Sequence, residues 1–117
     1  MIKTTRIGDK DYVLKSSAYT IFAYKNETGR ELLDDIASLE KMCDSKKPSI
    51  NDLYKMTNLG LKLAYILIME GDASFKLSYD DFLRSIDSLY EDATWIKDVI
   101  LVGSSPFCGR IQISRNE

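Results

Sequence analysis

The spacing of apolar residues changes along the chain, and the changes divide it into elements. Ile2-Lys3-Thr4-Thr5-Arg6-Ile7 and Tyr12-Val13-Leu14-Lys15 are short extended runs rich in β-branched and aromatic residues. Gly8-Asp9-Lys10-Asp11 between them supplies turn residues, so the segment predicts a β-hairpin. A lone hairpin is marginal in water and must pack on helices or on another chain. From Ser17 the period becomes helical, with Tyr19, Phe22 and Ala23 on one face and Ser16 or Ser17 available as a cap. Thr28-Gly29-Arg30-Glu31 has the form of a capping box and predicts the start of a second helix. Its buried stripe is Leu32, Ile36, Leu39 and Cys43, and Asp44-Ser45-Lys46-Lys47-Pro48 ends it.

A third helix is expected from about Ser49 to Glu70. Ile50, Leu53, Tyr54, Thr57, Leu61, Ala64 and Ile68 form one apolar stripe. Met56, Leu59, Leu63 and Ile66 form a second on nearly the opposite side, and only Asn51, Lys55, Asn58 and Lys62 make a polar line. A helix so apolar around its circumference is either the centre of the domain or one that keeps a face for a partner. Gly60 permits close approach of a neighbouring helix. Gly71-Asp72 closes this helix, and Ser78 opens a fourth with Phe82, Ile86 and Leu89 as core positions. Ser88-Leu89-Tyr90-Glu91 has capping-box form and starts a last helix carrying Trp95, Ile96, Val99, Ile100 and Val102. Gly103-Ser104-Ser105-Pro106 reads as a break, followed by a tail that is either a short strand through Ile111 and Ile113 or disordered until bound. The expected fold is α+β and mostly α: an N-terminal hairpin and about five helices in one domain over 1–102, with 103–117 as a C-terminal tail.

Composition narrows the function. The 117 residues suit one domain, and 44% apolar residues suffice for one core. Sixteen basic against eighteen acidic residues leave a net charge of −2, with no basic stripe of the kind nucleic-acid proteins show. Residues 1–6 begin no apolar signal-peptide core, and the longest apolar run, Leu59 to Met69, is broken by Lys62 and falls short of the roughly 20 residues of a membrane span. An intracellular, cytoplasmic protein is expected.

Catalytic chemistry is sparse. The chain has no histidine, which removes the commonest general base and metal ligand. Cys43 and Cys108 lack metal-ligand spacing and read as reduced thiols. Asp34-Asp35 and Asp80-Asp81 read as solvated or capping charges, because adjacent residues on a helix point in different directions. Gly29-Arg30 and Gly103-Ser104-Ser105 lack the spacing and lysine of a phosphate loop. Neither an enzyme nor a bound cofactor or metal is expected.

The run Ala18-Tyr19-Thr20-Ile21-Phe22-Ala23-Tyr24-Lys25-Asn26-Glu27-Thr28-Gly29-Arg30-Glu31-Leu32-Leu33-Asp34-Asp35-Ile36 resembles the tail assembly chaperones of long-tailed bacteriophages and prophages. In that family a hairpin precedes an aromatic and aliphatic helix ending in Tyr-Lys, then a Gly-Arg-acidic-Leu-Leu segment. The likeness extends more loosely through the long apolar helix and Tyr79-Asp80-Asp81-Phe82-Leu83 to about Val102. It implies a protein that coats the tape-measure protein, recruits tail-tube subunits, self-associates, and acts in the host cytoplasm without remaining in the virion. No nucleic-acid or membrane partner is implied. The alternative is a small DNA-binding or regulatory helical protein of a phage or bacterium, against which the acidic balance weighs.

Two surfaces are candidates for protein binding. One is Tyr19, Phe22 and Tyr24, since tyrosine joins an apolar body to a polar tip. The other is Met56, Leu59, Leu63 and Ile66, with methionine as an adaptable contact. Both patterns also fit core positions. Arg30 is a candidate for an intermolecular ion pair, and a local contact with Glu27 or Asp34 is the simpler account.

Overall fold

A computed structural model describes residues 1–89 and 94–115, with side chains through Phe107. The elements run β1 (Ile2–Ile7), β2 (Lys10–Lys15), α1 (Thr20–Thr28), α2 (Leu32–Cys43), α3 (Ile50–Gly71), α4 (Tyr79–Arg84) and α5 (Thr94–Arg115). This is the mostly helical α+β architecture that the pattern predicts. β1 and β2 pair antiparallel with Thr5 opposite Tyr12 and Lys3 opposite Leu14. Of the two turn residues only Gly8 has positive φ, at 66°, as a turn with glycine at its first central position requires. The alternation buries Thr5, Ile7 and Leu14 and leaves Ile2 and Val13 exposed. Thr5 Oγ1 donates to Asp98 of α5 at 2.7 Å and Lys3 Nζ lies 3.4 Å from the same carboxylate, so polar contacts as well as burial seat the hairpin.

α3 is the central helix, touching β2, α1, α2, α4 and α5. It begins with a capping box: Ser49 Oγ accepts the Asp52 N–H and Asp52 accepts the Ser49 N–H. Burial is confined to its second half, where Gly60, Leu61 and Leu63 to Ile68 are enclosed. Ile50, Leu53 and Tyr54, which share the first apolar stripe with Leu61, Ala64 and Ile68, are exposed because the neighbours that enclose Leu61 and Leu63 to Ile68 do not cover the first turns. Gly60 has the expected purpose, since a Cβ there would stand 3.1 Å from the Trp95 ring. Gly71 is tighter still: its Cβ would lie 2.4 Å from the Val13 carbonyl oxygen of β2.

Tyr12, Tyr65, Phe75, Tyr79 and Phe82 form a ring cluster with centroids 5.4 to 6.3 Å apart, each pair adding about 0.5–1.5 kcal/mol beyond area burial. The cluster and a 2.8 Å bond from Tyr65 Oη to the Leu77 carbonyl hold the α3–α4 connection against α3. Ser78 caps α4 as predicted, accepting the Asp81 N–H. The helix stops at Arg84, short of Ile86 and Leu89, because Ser85 turns its hydroxyl back to the Phe82 carbonyl at 2.6 Å. Ile86 and Leu89 still pack on the core, from irregular chain. The capping box expected at Ser88–Glu91 falls partly outside the described residues.

The predicted break at Gly103–Pro106 is absent, and the helical backbone runs to Arg115 in place of a strand or disordered tail. Pro106 has no N–H for the Val102 carbonyl, and Ser105 Oγ donates to that carbonyl at 3.0 Å instead. Gly103 lets α5 approach α3 and α2, since a Cβ there would meet Leu63 at 3.1 Å and Ile36 at 3.5 Å.

Candidate partner-binding surface

α1 is positioned by polar contacts at its start. Thr20 Oγ1 donates to Glu70 of α3 at 2.9 Å and accepts the Ser17 N–H, while Ser17 Oγ accepts the Tyr19 N–H and bonds Glu70. With Thr20 and Tyr24 facing the core, Tyr19 and Phe22 point outward, 60% and 63% exposed. Tyr19 and Ala23 line one wall of a shallow groove of about 300 Å³, and the exposed Met69 lines the other. Two of the three aromatics assigned to this surface therefore stand on it.

Tyr24 does not. It is fully buried, and its hydroxyl donates to Asp35 Oδ2 at 2.5 Å. Arg30 forks onto the same carboxylate, with Nε to Oδ2 and Nη2 to Oδ1 both at 2.8 Å. The contact expected with Glu27 or Asp34 is thus made with Asp35, and Arg30 is engaged within the chain. Asp35 is in turn no solvated charge: it is 3% exposed, with three donors on its two oxygens. Burial alone would raise its pKa, but the bonds from Arg30 and Tyr24 and the charges of Arg30 and Lys62 outweigh this and hold it below its ordinary value. Burial, and then the bond to Asp35, push the Tyr24 phenol well up, and the same carboxylate raises Arg30. A carboxylate so saturated with donors is a structural staple between α1 and α2 rather than a base.

The capping box read at Thr28–Glu31 is replaced by other bonds. Thr28 Oγ1 donates to the Tyr24 carbonyl at 2.7 Å and accepts the Arg30 N–H, and Gly29 closes α1 in the left-handed region at φ 73°. α2 begins without a side-chain cap. Its stripe Leu32, Ile36 and Leu39 is buried as predicted, and Cys43 is partly buried with Sγ 3.7 Å from Met56 Sδ. Burial raises the Cys43 pKa, which disfavours the reactive thiolate.

The second candidate surface is core. Leu63 and Ile66 are fully enclosed, and Met56 and Leu59 are half-buried against the same cluster. The exposed apolar face of α3 belongs instead to Ile50, Leu53 and Tyr54, at i, i+3 and i+4, the N-terminal part of the first apolar stripe. Among the described residues no group of His, Cys, Asp and Glu could hold a metal ion, and no helix is long and apolar enough to cross a membrane. Compared with protein-family models, curated proteins and solved structures, the chain matches none.

Proposed function

We propose that the protein is a tail assembly chaperone of a long-tailed phage or prophage, which covers the tape-measure protein and recruits tail-tube subunits to it in the host cytoplasm. The observation that carries this reading is the outward placement of Tyr19 and Phe22, on the segment whose residues resemble that family, beside a groove that Met69 completes. An amphipathic tape measure presents apolar surface before the tube encloses it, and exposed aromatics on a rigid helix are suited to cover it reversibly. Ile50, Leu53 and Tyr54 offer a separate apolar face for self-association. The test is co-expression with the tape-measure protein of the same phage or prophage. The proposal expects that protein to stay soluble and co-purify with this chain. A tape measure equally soluble alone, with no co-purification, overturns the reading.

A further inference from the structure

The groove between α2 and α3 differs in chemistry from the α1 surface. It encloses about 670 Å³ and is lined by Lys41 and Met42 of α2 and by Lys55, Leu59 and Lys62 of α3, together with Arg30 and Asp52. Arg30 is committed to Asp35, and Asp52 to the Ser49 cap. Lys41, Lys55 and Lys62 make no ion pair among the described residues. Lys62 lowers the pKa of Asp35 by its charge without an ion pair to it, and lines a neighbouring small cavity with Glu27. In a chain of net charge −2, three ammonium groups without an ion pair among the described residues thus line one groove, a local excess of positive charge.

We propose that this groove docks an acidic amphipathic helix of a partner protein. The partner's carboxylates pair with Lys41, Lys55 and Lys62, and its apolar edge lies on Met42 and Leu59. Lys55 and Lys62 are seven residues apart on one helix, about 10.5 Å along its axis, which is the spacing of carboxylates two turns apart on an incoming helix. Two half-buried apolar side chains among the lysines suit such a helix-in-groove contact. A nucleic acid fits less well, because the groove offers no aromatic side chain for stacking and no uncommitted arginine, and the whole chain is acidic. The surface needs neither Tyr19 nor Phe22, so it stands or falls apart from the tail-assembly reading.

The test is fluorescence anisotropy with a labelled synthetic helix of about 18 residues, long enough for five turns, carrying a leucine stripe flanked by glutamates. A second peptide replaces every glutamate by lysine, and a DNA duplex is a third probe. The acidic peptide is expected to bind, and raising salt from about 0.1 M to about 1 M weakens it, as screening of exposed charge requires. Lys41→Glu/Lys55→Glu/Lys62→Glu weakens binding roughly tenfold or more, and Lys55→Gln alone does so by a few-fold at unchanged helicity. Lys76→Gln, exposed and outside the groove, leaves it unchanged. The proposal is overturned by no binding of the acidic peptide up to about 1 mM, by equal binding of the two peptides, by an unchanged affinity of the triple variant, or by duplex DNA displacing the acidic peptide.

Discussion

Tyr24→Phe isolates one hydrogen bond in the staple that fixes α1 on α2. The phenylalanine keeps the buried ring and opens no cavity, so the change removes only the bond from Tyr24 Oη to Asp35 Oδ2 at 2.5 Å. Bonds to ionised partners contribute about 1.5–3 kcal/mol, and that is the expected loss at neutral pH. At about 4 °C per kcal/mol for a domain of this size, the midpoint of thermal unfolding falls by about 6–12 °C. The pH dependence is a stricter check. Asp35 is held below its ordinary pKa in the folded chain, so the stability it contributes is complete above the unfolded value of about 4 and is lost as pH falls through the lowered folded value. The difference between wild type and Tyr24→Phe should therefore shrink only as pH falls below the ordinary carboxylate range, through the lowered folded value at which Asp35 protonates. Urea unfolding followed by far-UV circular dichroism at several pH values measures both. A loss under about 0.5 kcal/mol at neutral pH, or one equally large after Asp35 has protonated, would refute the staple.

Two further expectations concern the backbone. Gly71→Ala drives a Cβ into the Val13 carbonyl, which cannot yield without moving the hairpin, and should cost about 2–3 kcal/mol in urea unfolding. Gly29→Ala meets nothing within 4 Å and incurs only the left-handed penalty of about 1–2 kcal/mol, so the first should exceed the second. Pro106→Ala restores a donor for the Val102 carbonyl and should raise stability by up to about 3 kcal/mol, less whatever the Ser105 bond already supplies. A fall in helicity on that change would contradict a continuous α5.

Much of the fold was legible because it is local. The hairpin followed from alternation and one glycine, the α2 stripe from spacing, and the α4 cap from a serine three residues before Asp81. What escaped depends on contacts between elements. Asp35 looks like half of a solvated acidic pair until the 29–31 turn swings Arg30 over it, and Tyr24 looks like an interface aromatic until its hydroxyl meets that carboxylate. The two α3 stripes are indistinguishable by period; which half of the helix is enclosed depends on where β2, α1, α2 and α5 lie. Pro106 signals a break only if the freed carbonyl lacks a donor, and Ser105, one residue earlier, was the available clue. The basic groove was visible as the polar line of α3 but not as a groove, since its other wall comes from α2.

The proposal that the outward aromatic pair on α1 is a docking surface is tested most directly by a pull-down of the tape-measure protein it is proposed to cover, by wild type and by Tyr19→Ala/Phe22→Ala. Both side chains are exposed, so the double variant should keep wild-type stability, while losing capture by tenfold or more if the pair contributes about 1.4 kcal/mol or more to binding. Undiminished capture by a folded double variant would contradict the account.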